Sequence, residues 1–446
     1  MPSSRTKAVL AAGVAAVVGG ALLFVTAPAT SLVDAPMYQV PQEVTDSIDT
    51  SVTPEVSSFY DVAGWQAGPP GQLVRAEPID GAPPGTKLYR IMYQSTDLRG
   101  NAIPVTGLYA VPDGPAPAGG FPLIGFAHGT TGVAQACGMS QAPLTPNTPG
   151  YSAWVPHIEP LVRQGWAVVA SDYSGMGAPG PSSYLVGPLE GRGVLDSMRA
   201  VLQPSPLVGS VPIDAGKLGI YGKSQGGEAA LSAMELAPTY APELDIAGGV
   251  SLAPGFTPAL QGVLNAVAGN PTSTSQNMFV LLIAKSFAEN YPQYTNIDAI
   301  LSDEGKQRLT LLEQYCGTDL ADRVVDIPLS QMLNSPVDSG LVTALDEAMP
   351  GSTALQMPAM IVQGLKDKTI LPQFTHAQVM SRCALGDVVW YVRYPEDDHP
   401  SINFQARETQ PSVIDWMQAR WAGEPAPDNC ANQLLGTAST TQAVNP

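Results

Sequence analysis

The chain has 446 residues, with 39 acidic and 21 basic side chains and a net charge of −18. This acidity argues against nucleic acid as a partner, because nucleic-acid binding depends on clustered Lys and Arg side chains. The length fits either two or three average domains or one large catalytic domain with an inserted cap.

The N-terminal residues predict export from the cell. Arg5 and Lys7 precede the apolar run AVLAAGVAAVVGGALLFVTA, which is the pattern of a signal peptide, and cleavage is expected after Ala29. The run is also long enough to stay in the membrane as an uncleaved anchor, with the protein on the outer face. No later segment has about 18 uninterrupted apolar residues, so a pore or a transporter is excluded.

Short β-rich runs at 87–96 and 103–112 flank the turn-forming residues DLRGN and predict an antiparallel hairpin. Short buried strands then alternate with helical stretches, which is the pattern of an α/β protein with a mostly parallel, doubly wound sheet. The later strands are predicted near residues 121, 167, 217, 244, 358 and 388, and the helices near 154–165, 194–203, 226–236, 375–385 and 411–421.

The alternation stops between residues 255 and 353. This segment includes the apolar run NMFVLLIAKSFAENY and the amphipathic run LSDEGKQRLTLLEQY, both predicted to be helical. We interpret it as a helical cap, in which residues 278–283 either border an acyl-chain tunnel or pack inside the cap. The predicted organisation is a signal peptide (1–29), a linker (30–55), the first part of the core (56–254), the cap (255–353), the second part of the core (354–424) and a flexible tail (425–446).

The cysteines are even in number and lack C-x-x-C spacing: Cys137, Cys316, Cys383 and Cys430. In an exported chain they predict two disulfides, and the spacing leaves all three pairings open. The four histidines are scattered and form no metal-binding motif. We therefore expect neither a metal nor a cofactor.

The segment Gly222-Lys223-Ser224-Gln225-Gly226 fits the pattern G-x-S-x-G. The pattern alone is common, but here an apolar β-run precedes it and a run of small helix-forming residues follows it. This is the strand–turn–helix context of the nucleophile elbow in the α/β-hydrolase fold. Ser224 is therefore predicted as a nucleophile, and the alternative is a glycine-rich turn with an incidental serine.

A serine nucleophile needs a general base, and the base needs an acid that fixes its tautomer, in the chain order Ser, acid, His for this fold. Asp367 follows the apolar strand AMIVQGLKD and is predicted as the acid, with a turn or N-cap role as the alternative. His399 follows the last predicted strand and is predicted as the base. The other histidines fit less well, because His376 falls in a helix and both His128 and His157 precede the serine.

The oxyanion that forms during acyl transfer needs preorganised hydrogen-bond donors. The backbone N–H of Gln225 is the first predicted donor. The second is expected from the loop FAHGTTG, where Thr130 is preferred and Gly129 is next. A plain glycine turn is the alternative interpretation of this loop.

The segments FAHGTTG, GKSQGG, GLKDKT and DDHPS together resemble the secretory lipase family of the Candida antarctica lipase A type, over about residues 50–425. The resemblance implies an α/β-hydrolase fold, the triad Ser224, Asp367 and His399, an oxyanion loop at 129–131 and a helical cap over an acyl pocket. It also implies the disulfides Cys137–Cys316 and Cys383–Cys430. The large insertion between the serine strand and the aspartate strand makes the match more specific than the elbow alone.

These observations predict a secreted, monomeric serine esterase or lipase that hydrolyses carboxylic esters, with acylglycerols favoured, through an acyl-enzyme. Transient contact with a lipid interface is also expected. An exported peptidase or an acyltransferase would use the same triad, so both are alternatives. A cell-surface binding protein with an inactive hydrolase fold is the non-enzymatic alternative.

Overall fold

The computed structural model describes residues 56–80, 82–141, 150, 153–255, 276–334, 338–403 and 412–434. The predicted signal peptide, with its cleavage site after Ala29, and the predicted linker lie outside these residues. The same is true of residues 256–275 of the predicted cap and 435–446 of the predicted tail. None of the described helices has both the length and the apolar character needed to cross a membrane.

One sheet of nine strands forms the centre of the fold. The strands are β1 (Leu73–Pro78), β2 (Thr86–Thr96), β3 (Ala102–Pro112), β4 (Phe121–Ala127), β5 (Ala167–Ser171), β6 (Ile213–Lys223), β7 (Ile246–Leu252), β8 (Ala359–Gly364) and β9 (Val389–Tyr394). Their spatial order is β1-β2-β3-β5-β4-β6-β7-β8-β9. The first three strands and β5 pair antiparallel, whereas the strands from β5 to β9 in this order pair parallel. The predicted hairpin and the mostly parallel sheet are thus confirmed.

The helices of the sheet domain are α1 (Glu159–Arg163), α2 (Gly187–Leu202), α3 (Gln225–Tyr240), α11 (Pro372–Ala384), α12 (Val413–Trp421) and α13 (Cys430–Leu434). Between β7 and β8 lie α4 (Asn277–Asn290), α5 (Ile297–Ile300), α6 (Asp303–Gln307), α7 (Leu309–Leu312), α8 (Gly317–Arg323), α9 (Leu329–Met332) and α10 (Ser339–Ala348).

Helices cover both faces of the sheet because successive strand residues point to opposite sides. Leu123 of β4 packs in one apolar cluster with residues of α2, α3 and α11, whereas the next residue, Ile124, packs in a second cluster with residues of α1 and α12. Ile220 and Tyr221 of β6 divide between the two clusters in the same way. This is the doubly wound arrangement expected from the alternation of strands and helices.

The helices between β7 and β8 form a third apolar cluster, together with residues of the loops after β4 and β5 and of α2. Leu281 and Leu282 of α4 are fully buried in it, while Met278 and Phe279 are partly buried against it. The amphipathic run is predicted as one helix, but the structure divides it into two short helices, α6 and α7, which meet at Arg308. The side chain of Arg308 forms an ion pair with Asp326.

Two disulfides, Cys137–Cys316 and Cys383–Cys430, join the pairs that the resemblance implies. The second disulfide lies partly in the predicted flexible tail, which begins at residue 425. It anchors α13 of that segment to α11. Nearby, the side chain of Asn429 bonds to the backbone of Tyr391 in β9: Nδ2 donates to the carbonyl and Oδ1 accepts from the N–H, both at 2.9 Å. Residues 429–434 therefore differ from the expectation of a flexible tail.

Replacing both Cys383 and Cys430 with serine is expected to lower the free energy of unfolding by about 2–4 kcal/mol. The disulfide joins residues 47 positions apart and so restricts the unfolded chain. Guanidinium-induced unfolding followed by tryptophan fluorescence measures the change. An unchanged denaturation midpoint would show that packing alone holds α13 in place.

Candidate active site

Ser224 lies in the sharp turn between β6 and α3. Its backbone has φ 61° and ψ −121°, a combination that residues with side chains rarely adopt. A Cβ on Gly222 would overlap the carbonyl of Gly226, and a Cβ on Gly226 would overlap the carbonyl of Ala127 at the end of β4. Glycine is therefore required at both positions, because backbone atoms occupy the space that a side chain would need.

His399 lies between the serine and a buried carboxylate. Its Nε2 is 3.0 Å from Ser224 Oγ, and its Nδ1 is 2.7 Å from Asp367 Oδ2. The imidazole side chain is 16% exposed, whereas the Asp367 side chain is fully buried. When Nδ1–H donates to the carboxylate, Nε2 is free to accept the serine proton, which is the tautomer that a general base requires.

Asp367 is held in place by donors other than His399. Its Oδ1 accepts hydrogen bonds from the backbone N–H groups of Thr369 and Ile370, both at 2.8 Å. Its Oδ2 accepts a further bond from Gln363 Nε2 at 3.2 Å. One carboxylate oxygen of Asp367 thus caps a turn, which is the alternative role predicted from the sequence, and the other oxygen faces the imidazole.

The three side chains come together because of the sheet topology. Ser224, Asp367 and His399 follow the carboxyl ends of β6, β8 and β9, respectively. These strands run parallel, so their carboxyl ends lie along one edge of the sheet, where ligands bind in α/β folds. The sheet thus brings His399 into contact with Ser224, 175 residues earlier in the chain, and with Asp367, 32 residues earlier.

Two backbone segments near Ser224 carry the candidate oxyanion donors. Gln225 is the first residue of α3, so its N–H has no intrahelical acceptor. Gly129 is close to the serine, since a Cβ on Gly129 would stand 3.9 Å from the Ser224 Cβ. Its neighbour Thr130 contacts Tyr184, with 3.1 Å between the two hydroxyl oxygens. The N–H groups of Gln225, Thr130 and Gly129 all remain candidates.

Lys223 makes a contact that is not predicted from the sequence. Its Nζ donates to the carbonyl oxygen of Pro400 at 3.1 Å, so the residue before the serine is tied to the residue after His399. Burial lowers the pKa of Lys223 to about 8, against the opposing effect of the Asp367 carboxylate. The local sequence contains no signal for this contact, because the partners are 177 residues apart.

The other three histidines lie outside the Ser224 site and make other contacts. Burial lowers the pKa of His128 to about 4 and that of His157 to about 3, so both are neutral at pH 7. His128 Nδ1 donates to the Gly129 carbonyl at 2.6 Å, and His157 Nδ1 is 2.8 Å from the Tyr221 hydroxyl. His376 lies in α11, as predicted.

Gly226→Ala is expected to destabilise the fold by about 3 kcal/mol or more, because the added methyl meets backbone carbonyls that cannot move aside. Gly114→Ala is the matched control, since a Cβ there meets no atom within 4 Å. Thermal unfolding of both variants measures the difference. Equal melting temperatures for the two variants would contradict the tight packing of the elbow.

Comparison with known proteins gives a family match. Residues 147–429 match the family model described as "Secretory lipase". A Mycobacterium tuberculosis protein named "Probable inactive lipase" is 28% identical over 392 residues, which cover 83% of this chain and 83% of that protein. Lipase 10 of Candida albicans is 26% identical over 300 residues, 62% of this chain and 60% of that lipase.

The fold has relatives among solved structures. The closed-state crystal structure of Candida antarctica lipase A superposes with a TM-score of 0.63 at 20% identity, covering 87% of this chain and 96% of that one. This likeness supports the α/β-hydrolase fold. Because the family model spans more than half of the chain, this protein belongs to the secretory lipase family.

Proposed function

We propose that this protein is an extracellular serine hydrolase that cleaves carboxylic esters, with Ser224 as nucleophile, His399 as general base and Asp367 as the acid that orients it. The observation that carries the proposal is the continuous contact from Ser224 Oγ through the imidazole to the buried carboxylate. Membership of the secretory lipase family supports an ester as the substrate.

Acylation begins when Ser224 Oγ attacks the ester carbonyl and its proton passes to His399 Nε2. The new Oγ–C bond gives a tetrahedral oxyanion, which the N–H of Gln225 and that of Thr130 or Gly129 would stabilise. When the intermediate collapses, the bond to the alcohol oxygen breaks and His399 returns the proton to the leaving alcohol.

Deacylation repeats these steps with water. His399 removes a proton from the water, whose oxygen attacks the acyl carbon, and the collapse of the second intermediate returns that proton to Ser224 Oγ. The Asp367 carboxylate compensates the imidazolium that forms in each half-reaction. Its three other hydrogen bonds keep Oδ2 directed at His399 during both steps.

The proposed substrate is a lipid ester, with acylglycerols favoured and with transient contact at a lipid interface. Membership of the secretory lipase family supports this choice, and the apolar cluster of the helices between β7 and β8 packs against residues of the loops that follow β4 and β5. The export signal and the two disulfides support an extracellular location, either secreted or anchored on the outer face. We propose that the protein acts as a monomer and uses no cofactor.

One relative bears the name of a probable inactive lipase, but this chain has its own complete set of catalytic side chains. Here the serine, imidazole and carboxylate are all present and in contact, and the serine has the strained backbone of an elbow. A binding protein without activity would have no need for that strain.

Ser224→Ala is expected to lower kcat for p-nitrophenyl esters by about 10³-fold or more and to abolish labelling by a fluorophosphonate probe. Asp367→Asn is expected to lower kcat strongly while labelling still occurs at a reduced rate, because the nucleophile remains. Wild-type protein that neither cleaves esters nor takes up the probe would favour the inactive binding protein. A preference for peptides, or for acyl transfer to a sugar over water, would favour the peptidase or the acyltransferase.

A further inference from the structure

Two buried glutamates lie directly behind the elbow. Glu190 is on α2 and Glu228 is on α3, and neither is exposed to solvent. The backbone N–H of Glu228 donates to the Ser224 carbonyl at 3.1 Å. The two carboxyl groups are neighbours: Glu190 accepts from the side chain of Gln225, one turn before Glu228 on α3, and a Cβ on Gly187, one turn before Glu190 on α2, would stand 2.5 Å from Glu228 Oε1. Neither group has a part in the proposed steps of ester hydrolysis.

The other contacts of the pair identify the oxygens that face each other. Glu190 Oε1 accepts from Gln225 Nε2 at 2.6 Å and from Leu185 N–H at 3.1 Å. Glu228 Oε1 accepts from Ser232 Oγ at 2.9 Å. In the described part of the chain, neither Oε2 has a hydrogen-bond donor of its own. Because two ionised carboxylates would repel each other strongly in this buried position, we expect one proton between the two groups.

The surroundings favour retention of this proton. Burial is the main factor that raises the pKa of both carboxyl groups, and the charge of Glu228 raises that of Glu190 further. The nearby charge of Glu235 has the same effect on Glu228, and Glu235 is itself paired with Arg382. Other titratable groups that face the pair are neutral hydroxyls: Tyr173, Tyr184 and Tyr291.

Close packing leaves little room for another partner between the two helices. A Cβ on Gly187 would overlap the side chains of both Glu228 and Ser232, and a Cβ on Gly191 would crowd the backbone of Ser232. The carboxyl groups are thus held together by the approach of α2 to α3, and repulsion between them would act directly on this contact.

Glu190 also connects the two segments that carry the candidate oxyanion donors. On the elbow side it accepts the hydrogen bond from Gln225. On the loop side it holds the N–H of Leu185, whose φ of 55° is rare for a residue with a side chain. The preceding residue, Tyr184, hydrogen-bonds to Thr130. One carboxyl oxygen therefore restrains both segments.

We propose that Glu190 and Glu228 share one proton in the active enzyme, and that this makes Glu190 the positioning residue for both candidate oxyanion segments. The inference rests on the proposed ester hydrolysis. Loss of the proton places two negative charges side by side in a buried contact, and their repulsion displaces Glu190 from Gln225 and Leu185. Turnover then falls at high pH, while substrate binding changes little.

Glu190→Gln tests the shared proton, because a glutamine amide keeps the hydrogen bonds but does not titrate. The folded wild type retains a proton that unfolded glutamates, with a pKa of about 4.3, have released. Wild-type stability therefore falls as the pH rises above about 4.3, until the folded pair ionises, and this loss is smaller in the variant, where the glutamine amide can donate to the Glu228 carboxylate. Between about pH 5 and pH 8 the Tm of the wild type should fall by about 2–4 °C relative to Glu190→Gln, as measured by calorimetry.

Glu159→Gln is the matched control, since Glu159 is also a buried glutamate but is paired with Arg163. Its Tm relative to the wild type should not drift in this way with pH. Equal pH dependence of Tm in the wild type and Glu190→Gln would overturn the shared proton.

Steady-state kinetics on a p-nitrophenyl ester test the positioning role. Glu190→Ala should lower kcat by about tenfold at about pH 6 with KM within about twofold of the wild-type value, because the oxyanion segments lose their common acceptor. Glu190→Gln should restore kcat and keep it at about pH 9, where wild-type kcat declines.

Unchanged kcat in Glu190→Ala, or an alkaline decline in Glu190→Gln equal to that of the wild type, would overturn the positioning role. If Glu190→Ala does not fold, the pH profile of Glu190→Gln decides the question alone. Failure of the proposed function gives a different result: the wild type itself would neither cleave the ester nor react with the fluorophosphonate probe, while the Tm comparison would still report on the proton.

Discussion

The rest of the site depends on the strained backbone of Ser224. The strain persists because hydrogen bonds fix both sides of the residue: its N–H donates to the Leu252 carbonyl at the end of β7, and its carbonyl accepts from the N–H groups of Gly227, Glu228 and Gly255. The turn is thus anchored to its own helix and to the neighbouring strand. The hydroxyl is directed away from the sheet, toward the loops that follow β8 and β9.

A second constraint connects the cap helices to the loop after β4. The carbonyl of Thr131 accepts from the N–H of Gly317 at 2.8 Å, and the disulfide Cys137–Cys316 joins the same two segments covalently. The loop that contains the candidate oxyanion residues is therefore attached to the start of α8. A movement of α8 would therefore act directly on the loop that contains the candidate oxyanion residues.

The elements whose signals are local could be predicted from the sequence. The elbow is recognisable because its strand, glycines and helix are contiguous, and Asp367 and His399 are recognisable because each follows an apolar β-run. The mostly parallel sheet follows from the alternation of strands and helices. Spacing alone left three disulfide pairings open, and only the resemblance reduced them to one.

Contacts between distant segments could not be predicted, because no local pattern encodes them. The pairing of Glu190 with Glu228 depends on how closely α2 approaches α3, and the contact of Lys223 with Pro400 depends on where the loop after β9 turns back. A glutamate in an amphipathic helix is ordinarily expected at the surface. Only the packing of the two helices reveals that these carboxyl groups are buried together.

The contact between Asn429 and Tyr391 has a consequence for the edge of the sheet. β9 is the outermost strand on its side of the sheet, and an outer strand with open N–H and C=O groups invites pairing with a strand of another molecule. The Asn429 side chain occupies both backbone groups of Tyr391 in the middle of that strand. In the described part of the chain, residue 429 thus takes the place that a strand of another molecule would need at the centre of this edge.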